Sequence, residues 1–176
     1  MKMICVYCGS RDGDDPAFAR AADAVGAGIA GRGMGLVYGA GDVGLMGRVA
    51  AAALRAGGPV VGVIPHHLRS HEVERRDLTE LIAVDTMHER KMTMFRRADA
   101  FIALPGGPGT LDELIELLTW RQLGLHEKPA HLLNLGGYWD PLLTLLRTTV
   151  ERGFASAGFL DFLTSHGTVD SLLDAL

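Results

Sequence analysis

Residues 100–118 read AFIALPGGPGTLDELIELL and contain the unit from which the fold is built. The first six residues are an apolar run of the length of a buried strand, and TLDELIELL has the apolar spacing of a helix. Between them lie Gly106, Gly107 and Gly109. Because glycine loses more backbone entropy on folding than other residues, this cluster indicates a loop where a ligand approaches the backbone or the chain turns tightly.

Similar apolar, β-branched runs predict further strands at MICVYC (3–8), GLVYG (35–39), PVVGVIP (59–65), LIAVD (81–85) and HLLNL (131–135). Asp15 and Pro16 supply the N-cap and first residue of a helix that runs to about Gly31. Further helices are predicted at 44–58, 87–97, 140–153 and 170–176. Strands separated by helices pair in parallel through right-handed crossovers. We therefore predict an α/β fold in which residues 1–176 form a single domain, a doubly wound Rossmann-like parallel sheet with helices on both faces.

The composition suits a small-molecule partner. The chain has 176 residues, 48% of them hydrophobic, and a formal net charge of -4. Without an overall basic field, extended nucleic acid is not an expected partner. No apolar run approaches the 18 residues of a membrane span, and the start MKMICVYCGS lacks the order of a secretion signal. We expect no membrane partner and a cytoplasmic location.

Cys5 and Cys8, in CVYC, match the spacing of a redox pair. Such a pair needs thiolates stabilised at a helix N-terminus, whereas MICVYC is predicted to be a strand, in which residues three apart point to opposite faces. Two buried, unreactive thiols are the better interpretation. The histidines form no spaced ligand set, so we expect no metal.

Three glycine-containing loops follow predicted strands: CGSRDG the first, YGAGDVGLMG the second and LPGGPGT the fifth. Ligands of such a sheet bind outside the carboxyl ends of the strands, so the three loops share one edge. A glycine turn that leads into a helix N-terminus suits a phosphate, through backbone donors and the helix dipole. Ser10, Gly39, Gly41 and Gly44 are the candidate contacts from the first two loops.

A dinucleotide site is an alternative, because GAGDVG (39–44) fits G-x-G-x-x-G between a strand and a helix. That fingerprint also needs an acidic residue at the end of the next strand to hold a ribose, and VVGVIPHH contains none. No G-K-[ST] follows either glycine cluster, so a Walker phosphate loop is absent as well. No cofactor is predicted.

Two further segments each allow a structural explanation. Thr110-x-x-Glu113 matches a capping box, with Thr110 as N-cap and Glu113 at N3, which requires no ligand, although both roles can coexist. The predicted helix MHERKMTMFRR carries Arg90 and Lys91 near its start, where the helix dipole disfavours positive charge. That position suggests a function, and a solvated charged face is the alternative.

The segments YGAGDVGLMG, MHERKMTM and LPGGPGTLDE, with CGSRDG and TWRQLGLHEKP, together resemble the Lonely Guy family of cytokinin-activating phosphoribohydrolases. The resemblance covers about residues 3–155 and centres on P-G-G-x-G-T-x-x-E with an upstream R-K pair. Ala40 stands where the family often has a third consecutive glycine. Proteins with this motif have also been labelled lysine decarboxylases, but nothing marks a lysine here as an anchor for pyridoxal phosphate.

The resemblance implies hydrolysis of the N-glycosidic bond of cytokinin riboside 5'-monophosphates, and of AMP, to a free base and ribose 5-phosphate. It also implies a homodimer. Arg90 and Glu113 would be the catalytic pair, and the nucleotide site would include Glu72, Lys91, Gly107, Pro108, Gly109, Thr110, Leu111, Asp112 and Thr119. A noncatalytic nucleotide-binding module and a dinucleotide oxidoreductase are the competing functions.

The chemistry suits these residue types independently of the resemblance. Breaking a glycosidic bond builds positive charge on the sugar, which the carboxylate of Glu113 can stabilise while it orients or deprotonates water. The guanidinium of Arg90 can bind phosphate oxygens in a bidentate manner and so hold the sugar in register. The group that protonates the leaving base is not identified; Arg90, a bound water or Glu113 itself are open possibilities.

Overall fold

The computed structural model describes residues 1–69, 75 and 77–176 and places seven strands in one sheet, paired in parallel throughout. The strands are β1 (Met3–Tyr7), β2 (Gly35–Tyr38), β3 (Val60–Pro65), β4 (Glu80–Val84), β5 (Ala100–Ala103), β6 (Ala130–Leu133) and β7 (Thr164–His166). Their order across the sheet is β4-β3-β2-β1-β5-β6-β7. Parallel strands buried on both faces require near-continuous apolar sequence, which is what the predicted runs supplied.

Six α-helices cover the two faces: α1 (Pro16–Gly31), α2 (Gly44–Arg55), α3 (Met87–Arg97), α4 (Pro108–Gln122), α5 (Asp140–Glu151) and α6 (Val169–Asp174). Core residues of α1, α2 and α6 pack on one face, and those of α3, α4 and α5 pack on the other. Cys8 and Cys5 lie in the cores on opposite faces, as their spacing on a strand predicts. Within the described ranges no helix has both the length and the apolar character needed to cross a bilayer.

The predicted α/β fold class is confirmed, and each predicted strand and helix is present. Asp15 caps α1 by accepting a hydrogen bond from the amide of Ala17 at 2.8 Å. β7 was not predicted. Its three residues carry no apolar run, and it is joined to β6 by a hydrogen bond of 3.1 Å between the rings of His131 and His166 as well as by backbone pairing.

The switch point of the sheet lies between β1 and β5. The chain passes from β1 outward through β2, β3 and β4, then returns to add β5 on the other side of β1. Open α/β sheets bind ligands in the crevice above such a point. The loops that leave β1 and β5 meet there, where the amide of Gly9 donates to the carbonyl of Pro105 at 3.1 Å.

Candidate active site

A cavity of about 210 Å³ lies at the switch point, between the loops that follow β1 and β5 and the first turn of α3. It brings Arg90 and Glu113 together, although they are on different helices. The other lining residues are Cys8, Gly9, Ser10, Met46, Met87, Gly107, Pro108, Gly109, Thr110 and Asp112. The three loops that the sequence placed at one edge do converge, but the second loop supports the site from behind.

The three glycines of the β5–α4 loop have different roles. A Cβ on Gly106 would overlap the hydroxyl of Thr110 and lie 2.9 Å from the amide nitrogen of Gly9, so packing of the protein excludes a side chain there. At Gly107 and Gly109 a Cβ would meet nothing within 4 Å. Packing therefore does not require these two glycines, and both of them line the cavity.

Helix α4 starts earlier than the capping-box interpretation required. Gly107 is its N-cap and Pro108 its first residue, so Thr110 lies in the first turn and Glu113 in the second. The predicted capping box of Thr110 and Glu113 is therefore wrong. The reason is Pro108, whose fixed φ suits the first helical position. Within the residues that the structure describes, no side chain caps α4, so the first-turn amides and the positive end of the helix dipole are available to an anion.

Arg90 is buried, with 6% of its surface exposed, so the solvated-face interpretation is wrong. Its Nε donates to the carbonyl of Val63 at 3.1 Å, and its Nη2 donates to the carbonyl of Gly39. The two acceptors belong to adjacent strands: Val63 lies in the carboxyl-terminal half of β3, and Gly39 directly follows β2. Two anchored nitrogens fix the plane of the guanidinium at the wall of the cavity.

In the loop at 39–44, contacts with the rest of the protein, and not a ligand, account for the glycines. A Cβ on Gly39 would overlap the guanidinium of Arg90, and one on Gly44 would overlap the backbone of Ser10 and Arg11. Ala40 is buried and adopts φ 64°, the left-handed conformation that glycine occupies more easily. Gly41 is buried too. None of these residues is among those that line the cavity, so the loop supports Arg90 and the β1 loop from behind.

Four other predicted contacts lie beside the cavity or outside the described residues. Lys91 Nζ lies 2.9 Å from a carboxylate oxygen of Asp112 and 3.0 Å from one of Glu116. Burial alone would lower the Lys91 pKa, but the hydrogen bonds to the two carboxylates outweigh burial, and the pKa is raised. Leu111 and Thr119 line an open groove on the outer side of α4. Glu72 lies outside the described residues.

Cys8 lines the cavity as a neutral thiol. Burial, and then the negative charge of Glu113, raise the Cys8 pKa far above its ordinary value. Burial is also the main cause of the raised Cys5 pKa. Because the thiolate is the reactive form, neither cysteine is suited to act as a nucleophile. The prediction of two free, buried thiols is confirmed.

A second hollow of about 490 Å³ adjoins the cavity, and sequence reasoning did not find its aromatic wall. The two spaces share Gly9, Ser10, Gly107 and Pro108. Phe18 and Tyr138 line the second hollow, with ring centroids 5.5 Å apart in an edge-to-face contact. These residues come from α1 and from the segment after β6, and no motif in the sequence connects them.

The amino-acid sequence is similar to that of several curated plant enzymes. A probable cytokinin riboside 5'-monophosphate phosphoribohydrolase from rice (Oryza sativa subsp. japonica) is 48% identical over 97% of this chain and 76% of its own length. A cytokinin riboside 5'-monophosphate phosphoribohydrolase from Arabidopsis thaliana is 50% identical over 88% of this chain and 71% of its own. A family model described as "possible lysine decarboxylase" matches residues 46–176.

Solved structures share the fold at lower identity. A molybdenum cofactor binding protein from Rippkaea orientalis superposes with a TM-score of 0.75 at 21% identity, over 99% of this chain and 94% of its own. The molybdenum cofactor carrier protein of Chlamydomonas reinhardtii gives 0.73 at 20% identity, over the same shares. At this identity the likeness shows the fold alone. By sequence similarity along nearly its whole length, and with the motif residues in place, the chain belongs to the Lonely Guy family, whose curated members are named cytokinin riboside 5'-monophosphate phosphoribohydrolases.

Proposed function

We propose that this enzyme hydrolyses the N-glycosidic bond of cytokinin riboside 5'-monophosphates, and of AMP, to a free base and ribose 5-phosphate. The observation that carries the proposal is that Arg90 and Glu113 line one cavity with the first turn of α4. A carboxylate and an anchored guanidinium beside an uncapped helix N-terminus provide for a cationic sugar and an anionic phosphate at once.

The substrate phosphate is assigned to the first turn of α4. Gly107 and Gly109 leave the backbone open to an approaching anion, and the helix dipole favours negative charge at that end. Ser10 lies across the cavity on the β1 loop. The cavity itself has a volume of about 210 Å³, and the adjoining hollow has a volume of about 490 Å³. Together they give room for the rest of a nucleotide.

Glu113 is assigned to the reacting carbon. It lies one turn into α4, half-buried, on the same wall of the cavity as the loop that binds the phosphate. As the C1'–N bond breaks, its electron pair leaves with the base and positive charge develops on the ribose, which the carboxylate stabilises. Water forms the new C1'–O bond and gives up one proton, and the base takes up one proton, so the reaction is balanced.

Arg90 is assigned to holding the substrate in register. Its hydrogen bonds to the carbonyls of Val63 and Gly39 fix the guanidinium before substrate binds. A cation positioned in advance costs no reorganisation when negative charge arrives, which is the main advantage of a preorganised site. The short distance between phosphate and anomeric carbon in a nucleotide then fixes the sugar relative to Glu113.

The direct test is incubation of the purified protein with isopentenyladenosine 5'-monophosphate and, separately, AMP, followed by chromatography. We expect free base and ribose 5-phosphate in equal amounts, and much slower release from the nucleoside without its phosphate. Binding of the nucleotide with no release of base would overturn the hydrolase and favour a noncatalytic nucleotide-binding module. Reduction of a nicotinamide cofactor would instead favour an oxidoreductase.

A homodimer is part of the proposal, and the outer side of α4 is its best interface. On α3, Met94 is buried and Phe95 stacks on Phe101, so that stripe faces the sheet. Beyond the groove along α4, by contrast, Leu123 and Leu125 are 68% and 66% exposed. Light scattering should give twice the mass of the 18.8 kDa chain, and a monomer at micromolar concentration would contradict the dimer. The proposed cytoplasmic location is tested by cell fractionation.

A further inference from the structure

Tyr138 reaches the glycine loop from a distant part of the chain. Its hydroxyl donates a hydrogen bond of 2.6 Å to the carbonyl of Gly106, a residue 32 positions away in sequence. Tyr138 follows the short 3-10 helix Leu135–Gly137, which comes after β6. Through this contact the loop that follows β6 also touches the predicted site, in addition to the loops that follow β1 and β5.

The segment around Tyr138 is held firmly. Gly136 and Gly137 both adopt positive φ, 61° and 77°, which turns the chain sharply before the tyrosine. Asn134 closes the turn: its side chain donates to Asp140 at 2.7 Å and accepts from the amide of Trp139 at 2.7 Å. Trp139 is buried in the core with α4 and α5. The tyrosine backbone thus has a fixed position relative to the sheet.

The ring of Tyr138 is supported as well. Phe18 of α1 contacts it edge to face with ring centroids 5.5 Å apart, and Trp139 does so at 4.9 Å. These contacts leave the hydroxyl end at the glycine loop. A tyrosine held by backbone and ring presents its donor with little loss of side-chain entropy, which makes the hydrogen bond effective.

The accepting carbonyl belongs to a peptide unit that joins two glycines, whose backbone torsions have little intrinsic restriction. The Gly106–Gly107 peptide has no Cβ on either side, so it can rotate as a plane at low cost. All peptide bonds of the described residues are trans, and in a trans unit the C=O and N–H point in opposite directions. A hydrogen bond that fixes the Gly106 carbonyl towards Tyr138 consequently turns the Gly107 amide away from it.

Tyr138 lines the larger hollow, whereas Gly107 lines both spaces. The Gly107 amide is thus turned away from the aromatic side of the larger hollow, and Gly107 also lines the cavity that Arg90 and Glu113 line. We propose that Tyr138 is a positioning residue that locks the Gly106–Gly107 peptide so that the Gly107 amide serves as a donor to the substrate's phosphate. This inference rests on the proposed function, because it assigns part of the same phosphate site.

Tyr138→Phe tests the proposal, because it removes the hydroxyl and keeps the ring contacts. Without the hydrogen bond from the hydroxyl, the Gly106–Gly107 peptide is no longer held in one orientation. The KM for the nucleotide and the dissociation constant of ribose 5-phosphate should therefore rise roughly three- to tenfold. The value of kcat and the melting temperature should stay close to wild type. Tyr38→Phe is the matched control, since the buried Tyr38 hydroxyl has no hydrogen-bond partner among the described residues.

Binding of ribose 5-phosphate and inorganic phosphate, neither of which is a substrate, is measured by calorimetry, so that the lock is tested without turnover. If wild type releases base but Tyr138→Phe binds both ligands as wild type does, the lock is wrong and the hydrolase stands. If wild type releases no base but Tyr138→Phe binds them more weakly, the hydrolase is wrong and the lock stands. A lower melting temperature with unchanged affinity would make Tyr138 merely structural, and failure of wild type to bind either ligand would overturn both proposals.

Discussion

The chain contains the pattern Thr-x-x-Glu before two helices, with opposite outcomes. At α3 the hydroxyl of Thr86 accepts from the amide of Glu89 at 3.1 Å, and the carboxylate of Glu89 accepts from the amide of Asp85 at 2.8 Å. At α4 the N-cap is Gly107, which has no side chain to accept a hydrogen bond, and Thr110 and Glu113 line the cavity instead. The same spacing closes one helix end and leaves the other open to a ligand.

The difference comes from the residues that precede each threonine. Thr86 has extended geometry and is the last residue before its helix, so it can cap it. Ahead of Thr110, Gly107 and Pro108 start the helix three residues earlier than a Thr110 cap would require. A capping box thus depends on where the helix begins, and spacing alone does not predict it.

The two ends also complement each other. The cap at Thr86 fixes the first turn of α3, and Arg90 is the residue immediately after Glu89. The uncapped end of α4 supplies the open amides, and Glu113 follows in its next turn. One motif therefore stabilises the helix that presents the cation, and the other provides the carboxylate.

The largest effect on turnover is expected from Glu113→Gln, and the same exchange at Glu89 is its matched control. Glu113→Gln keeps the size of the side chain and removes the charge that the developing sugar cation needs, so kcat should fall at least roughly 100-fold. Glu89→Gln should keep kcat near wild type, because an amide oxygen can still accept at a helix cap. Steady-state release of base from AMP and from a cytokinin nucleotide measures both.

This pair has a clear contradicting outcome. If Glu113→Gln turns over at the wild-type rate, the carboxylate plays no part in the chemistry. If Glu89→Gln loses as much activity as Glu113→Gln while both variants remain folded by circular dichroism, the two ends do not differ in function.

An intermediate effect is expected at Arg90, which links the capped helix to the cavity. Arg90→Lys keeps the charge but cannot reproduce the planar fork that bonds the carbonyls of Val63 and Gly39, so its charge is no longer held in one place. We expect kcat/KM to fall roughly 10- to 100-fold, the scale of a lost hydrogen bond to a charged group. Arg97 is on the same helix as Arg90 and forms an exposed ion pair with Glu80 of β4, so the activity of Arg97→Lys should stay near wild type. Equal values of kcat/KM for the two variants would show that the Arg90 guanidinium has no part in binding or turning over the substrate.

Much of the fold was predictable because five of the seven strands, β1, β2, β3, β5 and β6, are buried on both faces. Runs such as MICVYC and PVVGVIP are apolar without interruption, and the helices between them force parallel pairing. β7 was not predictable, because TSH is short and polar and is held by contacts with β6 that form only after folding. Local sequence is informative where burial is complete and uninformative where an element depends on its neighbours.

The site was predictable to the level of its loops. Topology alone placed the glycine loops at one edge, but it could not tell which glycines face a ligand. Gly39 and Gly106 make room for Arg90 and Thr110, whereas Gly107 and Gly109 are open. The partners of Lys91 on α4 and the reach of Tyr138 depend on side-chain directions across elements, which no local pattern contains.

The smallest effect is expected from removing the cap itself. Thr86→Ala deletes the hydroxyl that accepts from the Glu89 amide and should lower the free energy of unfolding by about 1 kcal/mol. For a chain of this size that corresponds to a fall in melting temperature of about 2–4 °C. The serine variant Thr86→Ser keeps the hydroxyl and should melt near wild type. Turnover should change little in either, because the first turn of α3 is also held by the Arg90 bonds to β2 and β3. If Thr86→Ala melts like wild type, the α3 end is no better capped than the α4 end, and the contrast between the two motifs disappears.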